Sequence, residues 1–197
     1  MAFITAGTQV PWVTLALSGV YTITRRIEID AGHRVMTHGS KCRHLHGHRY
    51  TVEATCTAIG DRLHESGEQT DMVLDFGFLK EEMLNIIGAS CDHGFIVALA
   101  DIELLTMLAP LDRLAAKIWH RTLLTTVQEE GFCAISTGRL STRLYIVPFQ
   151  PTAERLARHW FERLAPAVNQ RSEGLSVLSS ILVWETPQSQ ASYTYAR

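Results

Sequence analysis

Two long stretches of alternating apolar and polar residues constrain the fold of this chain more than any other feature. Within residues 21–33 five odd positions are apolar or small, namely Tyr21, Ile23, Ile27, Ile29 and Ala31, with His33 in phase. Within residues 46–58 the even positions are apolar or small, namely Tyr50, Val52, Ala54, Cys56 and Ala58, with His46 and His48 in phase. A period of two predicts strands with one buried face. The connection between them is long, and such loops often carry function.

Three further segments have the apolar spacing of amphipathic helices. The first covers residues 75–87 and is followed by Gly88, a common helix stop. The second begins after Pro110 and continues to Gly131, and the third begins around Pro151. The sequence therefore predicts three helices after the first two strands.

The C-terminal part of the chain returns to strand patterns. Residues 175–186 and 192–196 are predicted to be two closing strands. The stretch TRLYIVPF, residues 142–149, is predicted to be a short edge strand, because Pro148 would remove a ladder hydrogen bond from a central one. Strands, then helices, then strands favour an α+β fold with an antiparallel sheet.

Length, charge and cysteine content narrow the class of protein. The 197 residues fit one domain, and the formal net charge of -2 gives no indication of a nucleic-acid or membrane partner. Four widely spaced cysteines without a C-x-x-C pair are typical of a reducing compartment, so we expect a cytoplasmic protein. Residues 1–20 are apolar but lack a basic start and contain Pro11, which indicates an N-terminal extension rather than a signal peptide.

Three histidines share the inward phase of the first two predicted strands. The Cα atoms of His46 and His48 should lie roughly 6 to 7 Å apart on one strand face, and His33 can approach from the neighbouring strand. Zinc–imidazole bonds of about 2.0–2.1 Å let three such rings converge on one ion. Three histidines with an open fourth position are typical of catalytic zinc. The alternative is a set of polar strand-end residues paired with carboxylates.

The other histidines receive different interpretations. His38 and His44 are alternatives for the third ligand, although their loop would have to be ordered to present them. The remaining three are expected to be solvated, in a polar loop or on helices, and they are His64, His120 and His159.

A series of short motifs, taken in order, resembles one enzyme family. A strand ending in AGH is followed by CRHLHGH, MVLDFGFLK, CDHGF, PTAERLA and VWET. This combination is similar to the 6-pyruvoyl-tetrahydropterin synthase and 6-carboxytetrahydropterin synthase family, over about residues 21–95 and 148–195. The three residues between Cys42 and the H-G-H motif resemble the carboxy enzymes, which act in queuosine and 7-deazaguanine biosynthesis.

The resemblance implies both a fold and a reaction. The fold would be a tunnelling fold, a four-stranded antiparallel sheet with helices on one face, assembled as a ring-like homo-oligomer with active sites between subunits. The substrate would be 7,8-dihydroneopterin triphosphate, and the products 6-carboxy-5,6,7,8-tetrahydropterin, acetaldehyde and triphosphate. His33, His46 and His48 would hold a Zn²⁺ cofactor.

The resemblance also implies roles for four further residues. Cys42 would be the proton-abstracting residue, Asp92 and His93 the second catalytic pair, and Glu185 the anchor of the pterin ring. A nearby Zn²⁺ or protonated His93 would increase the thiolate fraction of Cys42. Adjacent strand residues point to opposite faces, so a carboxylate other than Asp92 is an alternative partner of His93. Cys42 is alternatively a zinc ligand or an inert loop thiol.

Glu185 continues the phase of an apolar face formed by Val177, Ile181 and Val183. A buried carboxylate needs a partner, and a pterin offers a ring N–H and an amine that one carboxylate can accept together. A salt bridge to an arginine, or exposure at the strand end, is the alternative. The triphosphate needs cations, and the candidates by proximity are Arg34, Lys41, Arg43 and Arg49.

A segment of about residues 98–147 would be an insertion relative to compact family members. It is predicted to be largely helical, and it would cover the outer surface, lengthen a subunit interface or lid the active site. Two rival functions stay open. One is a 6-pyruvoyl-tetrahydropterin synthase, which eliminates triphosphate without losing two carbons, and the other is a zinc-dependent pterin-binding protein without turnover.

Overall fold

The architecture is that of a computed structural model, which describes residues 19–136 and 139–195. Most of the proposed N-terminal extension, residues 1–18, lies outside the described residues. No helix in the described ranges is both long and apolar enough to cross a membrane.

The described chain forms one mixed sheet of seven strands in the order β4-β5-β3-β1-β2-β6-β7. The strands are β1 (Thr22–His33), β2 (His46–Ala58), β3 (Gly94–Ala98), β4 (Cys133–Ser136), β5 (Arg143–Val147), β6 (Ser176–Thr186) and β7 (Ser189–Thr194). The first two agree with the sequence prediction to within a residue, because their alternation is long and regular.

Five α-helices accompany the sheet. They are α1 (Phe76–Met83), α2 (Ala89–Cys91), α3 (Ile102–Leu108), α4 (Arg113–Glu130) and α5 (Ala153–Arg171), with a π-helical turn at Leu84–Gly88 joining α1 to α2. Asp75, of the DFG sequence, accepts hydrogen bonds from the backbone N–H of Gly77 and Phe78, and so caps α1. Asp112 and Thr152 cap α4 and α5 in the same way.

The resemblance implies a four-stranded antiparallel sheet, but the observed sheet has seven strands and includes parallel pairings. Strands β1, β2, β6 and β7 do pair antiparallel in that order. Beside β1, however, β3 pairs in parallel with β1 and with β5, and β4 closes the sheet. The predicted edge strand β5 is therefore internal, and Pro148 lies just beyond it where no ladder bond is lost.

Helices cover both faces of the sheet, not one face as expected. Ile96, Tyr145 and Val147 belong to the core shared with α1 and α5. The alternate residues Val97, Leu144 and Ile146 pack instead with α3 and α4. Because successive strand residues point to opposite faces, α3 and α4 lie on the face opposite α5. The insertion thus contributes a second small core and two strands besides its helices.

The apolar periodicity of α4 predicts the helix correctly, but most of this helix is not buried. The apolar residues in its N-terminal half and just before it are exposed, with Leu111 at 86%, Leu114 at 66% and Ile118 at 57%. Only Leu123 and Val127 of this helix are buried.

An irregularity in β6 corrects the predicted phase of Val177, not that of Glu185. The register with β2 shifts next to Thr55, so that Ser176 and Leu178 are buried before the shift, and Ile181 and Val183 after it. Val177 is therefore not on the inner face, as expected for a β-bulge, which inserts one residue and inverts the phase. Glu185 continues the phase of Ile181 and Val183, on the side of β6 that faces the core.

Two histidines that were expected to be solvated are buried. His64 is 5% exposed and His159 is 9% exposed. The hydroxyl of Tyr145 is hydrogen-bonded to Nε2 of His159 at 2.6 Å, and the same hydroxyl oxygen accepts a hydrogen bond from Arg163 at 2.8 Å. His159 was expected to be solvated but lies on the buried face of α5. The sequence gives no sign of this, because its partner Tyr145 is on a strand that is brought close only by the fold.

This histidine makes stability depend on pH. Burial, and then the charge of Arg163, lower the pKa of His159 to about 4. In the unfolded chain a histidine has a pKa of about 6.5. The neutral His159 side chain therefore makes its full contribution to the unfolding free energy above that pH, and this contribution is lost as the pH falls towards 4. We expect wild-type protein to lose about 3 kcal/mol more unfolding free energy across this range than His159→Gln does. Urea denaturation at both pH values measures this difference, and equal losses in the two proteins would contradict it.

Candidate active site

Antiparallel pairing of β1 with β2 brings the three predicted histidines together. His33 lies opposite His46, and Ala31 lies opposite His48. One ring nitrogen from each histidine lies within 4.8 Å of the other two. The ring centroids are 4.5 Å apart for His33 and His46, 5.2 Å for His33 and His48, and 4.9 Å for His46 and His48.

Backbone carbonyls orient two of the rings. Nδ1 of His33 is 2.8 Å from the carbonyl oxygen of Pro151, and Nδ1 of His46 is 2.8 Å from that of His44. A carbonyl only accepts hydrogen bonds, so each Nδ1 carries the proton and each Nε2 presents a lone pair. Nε2 of His33 and Nε2 of His48 are buried without a hydrogen-bond partner. Unpaired lone pairs converging in a buried place fit a bound divalent metal ion, which needs such donors.

The environment favours the neutral form of two of these imidazoles, those of His33 and His48. The pKa of His33 is lowered to about 4, mainly by burial; the hydrogen bond to Pro151 opposes this shift, and the neighbouring histidines add to it. Burial, and then His46, also lower the pKa of His48. A metal ligand must be unprotonated, so at neutral pH no proton competes for either site.

Two further polar groups surround the cluster. Oε1 of Glu185 is 3.8 Å from Nε2 of His33, and burial followed by the charge of Glu154 raises the pKa of Glu185. The ring of Tyr50 packs edge-on against His33 and His48, at 5.8 and 5.4 Å between centroids. Its hydroxyl is buried without a partner, and burial, followed by Glu185, raises its pKa.

Cys42 occupies a short 3₁₀ turn, Lys41–Arg43, in the loop between β1 and β2. It is partly exposed, whereas Cys56, Cys91 and Cys133 are buried. Its carbonyl oxygen accepts a hydrogen bond from Val35 N–H at 2.8 Å. No cysteine forms a disulfide. Cys42 is therefore the most accessible thiol of the chain.

Asp92 and His93 do interact, against the expectation from strand geometry. Oδ2 of Asp92 lies 3.0 Å from Nδ1 of His93, because His93 has a φ of +54° and stands just before β3 rather than in it. Burial raises the pKa of Asp92, but hydrogen bonds from Asp30 N–H and His93 outweigh this and lower it overall. His93 is 77% exposed. Within the described ranges, no hydrogen bond or ring contact joins this pair to the three histidines.

The alternative ligands and the candidate cations are also placed. The three-histidine group excludes His38, whose Nδ1 accepts from Ser40 N–H, and His44. Arg34 is paired with Asp101 and Glu103, and Arg49 is paired with Asp30. Lys41 and Arg43 are exposed, and in the described part of the chain neither has an ion pair.

The sequence did not reveal three residues, distant along the chain, that form hydrogen bonds with the end of β1 and the loop after it. The carbonyl of Pro151, the side chain of Gln150 and the carboxylate of Asp101 all contact residues 33–36. The PTAERLA motif marked the region of Pro151, but a backbone carbonyl leaves no trace in residue type. Asp101 gives only the signal of a helix N-cap, three residues before Leu104.

The comparisons with known proteins agree with this architecture. The model of the 6-pyruvoyl tetrahydropterin synthase family matches residues 22–196, and the chain belongs to that family. A protein of Haemophilus influenzae named 6-carboxy-5,6,7,8-tetrahydropterin synthase is 31% identical over 174 residues, covering 88% of this chain and 99% of the relative. One of Rickettsia bellii with the same name is 29% identical over 164 residues, covering 83% and 93%.

Solved structures share the fold. An uncharacterized protein from Wolinella succinogenes superposes with a TM-score of 0.66 at 23% identity, covering 91% of this chain and all of that one. A 6-pyruvoyltetrahydropterin synthase from Plasmodium vivax gives a TM-score of 0.55 at 15% identity, covering 89% and 98%.

Proposed function

We propose that this chain converts 7,8-dihydroneopterin triphosphate to 6-carboxy-5,6,7,8-tetrahydropterin, acetaldehyde and triphosphate, with Zn²⁺ as cofactor, in 7-deazaguanine (queuosine) biosynthesis. The observation that carries the proposal is the group of three imidazoles with converging ring nitrogens, in which Nε2 of His33 and Nε2 of His48 are buried without a partner. The names of the relatives at about 30% identity support the choice of reaction.

His33, His46 and His48 would hold the zinc ion. When bound, zinc supplies a Lewis acid that makes C–H bonds next to the substrate's coordinated hydroxyls more acidic. Three histidine ligands leave a coordination position for substrate, as catalytic rather than structural zinc sites do.

Proton transfer would fall to Cys42 and His93. The thiol of Cys42 is the accessible one of the four cysteines, and as a thiolate it takes a proton from substrate carbon. Asp92 accepts a hydrogen bond from Nδ1–H of His93, which leaves Nε2 of that ring to take up or deliver a second proton.

The exposure of the Asp92–His93 pair is compatible with an assembly of subunits. The Asp92–His93 pair is exposed, whereas His33 is only 2% exposed. In a homo-oligomer with active sites between subunits, the pair of one subunit would serve the histidines of its neighbour. Four unpaired cysteines are consistent with the cytoplasm as its location.

Glu185 would bind the pterin ring. It stands beside His33, and burial followed by the charge of Glu154 raises its pKa, which makes the ion costly without a partner. A pterin supplies two adjacent N–H donors, which favour the ionised carboxylate. No arginine takes this place among the ion pairs of the described chain.

Lys41 and Arg43 would bind the triphosphate, because Arg34 and Arg49 already neutralise carboxylates. One charge-assisted hydrogen bond is worth about 1.5–3 kcal/mol, so we expect Lys41→Ala and Arg43→Ala each to raise KM at least about tenfold while kcat changes little. Steady-state kinetics measures this, with Lys117→Ala on α4 as the control. An unchanged KM in both variants would exclude these residues.

Product analysis tests the reaction itself. Zinc-loaded protein incubated with dihydroneopterin triphosphate should release acetaldehyde and 6-carboxytetrahydropterin, identified by mass. Cys42→Ala should lower kcat by about 10² or more, the scale of a lost general base, whereas Cys133→Ala should not. Release of triphosphate without acetaldehyde would support the 6-pyruvoyl activity instead. Retained pterin binding without turnover would indicate a binding protein.

A further inference from the structure

Arg34 follows the zinc-ligand candidate His33 directly and begins the loop that carries Cys42. Its guanidinium donates from Nε to Oδ2 of Asp101 at 2.6 Å and from Nη2 to Oδ1 at 2.5 Å. A third bond goes from Nη2 to Glu103 at 2.9 Å. Two parallel bonds fix both the direction and the distance of the Arg34 side chain, which a single contact would not do.

Asp101 is a buried residue of the insertion, 3% exposed. Burial alone would raise its pKa, but hydrogen bonds from Arg34 and from Leu104 N–H outweigh it and lower the pKa. The same carboxylate caps α3 through Leu104 N–H at 3.1 Å. Asp101 therefore joins the first helix of the insertion to the start of the Cys42 loop, residues 34–45.

Residues that follow the insertion contact the end of β1 and the start of the same loop. The side-chain oxygen of Gln150 accepts a hydrogen bond from Met36 N–H at 3.1 Å, and the next residue, Pro151, accepts from His33. Between these two anchors, Val35 N–H donates to the Cys42 carbonyl at 2.8 Å. One backbone hydrogen bond therefore links Cys42 to the residue that follows Arg34.

We propose that the insertion, with the residues that flank it up to Pro151, is a clamp that sets the position of Cys42 relative to the three histidines, with Arg34 and Asp101 as its positioning residues. This inference deepens the proposed function and rests on it for the catalytic role of Cys42. The clamp assigns the insertion a role that the sequence left open. Glu103, at 86% exposed, adds a solvent-screened contact, so the clamp depends mainly on Asp101.

The test removes the two parallel hydrogen bonds between Arg34 and Asp101 but keeps the Asp101 cap of α3. Asp101→Asn keeps an oxygen for Leu104 N–H but loses the charge and the paired acceptor. Arg34→Gln removes the donor fork, and Arg34→Lys keeps the charge with one point of contact. Arg158→Gln is the matched control, because it removes an exposed ion pair with Glu162 on α5.

Two readouts distinguish positioning from general stability. We expect iodoacetamide to alkylate Cys42 at least three times faster in Asp101→Asn and Arg34→Gln, with the buried Cys56, Cys91 and Cys133 unreactive as internal controls. We expect kcat to fall by at least about tenfold, because small misplacements of a reacting group have large effects on rate, while KM and the bound zinc stay the same. Arg34→Lys should lie between these variants and wild type.

A lower Tm with unchanged Cys42 alkylation and unchanged kcat would overturn the clamp and leave the ion pair a purely structural role. The alkylation rates need no substrate, so they test the clamp even if wild-type protein shows no turnover. Absence of turnover in wild type would count against the proposed function alone.

Discussion

The pairing of β1 with β2 is the constraint on which the rest of this structure depends. Val52 and Ile27 face each other in its buried part, and His33 and His46 face each other at its end. Because side chains alternate with a period of two, a slip of one residue would turn every apolar side chain to the other face. The hydrophobic core therefore fixes the face of the sheet on which the histidines lie, and the carbonyls of Pro151 and His44 then orient the rings of His33 and His46.

The site is held in a state that costs folding free energy. Nε2 of His33, Nε2 of His48 and the hydroxyl of Tyr50 are buried without partners, and each such group costs about 1–3 kcal/mol. Proteins break the rule of satisfied polar groups mainly where function requires it. The cost is offset by the core beneath, where Tyr50, Val52 and Ala54 are fully buried. A ligand that pairs these groups would recover the difference, which links binding to stability.

The sequence predicts the centre of this molecule better than its periphery. The parity of His33, His46 and His48 sufficed to place them together, because alternation is a local property of a strand. Strand β3 was missed because a short apolar strand buried on both faces has no period to detect. Strand β4 was missed because its four residues are too few for an alternation to stand out. The neighbours of His159 and of Arg34 were also missed, because Tyr145 and Asp101 come close to them only through the fold. Contacts between residues far apart in the sequence depend on how the strands and helices are arranged, and this arrangement cannot be read from local sequence patterns.

X-ray absorption at the zinc edge of protein purified without chelators tests the central claim most directly. Three imidazoles aimed at one ion predict about one zinc per chain, with a first shell of nitrogen and oxygen at about 2.0–2.1 Å and the multiple scattering of histidine rings. A sulfur shell at about 2.3 Å would make Cys42 a ligand rather than a free base. That result, or protein without bound zinc, would contradict the account.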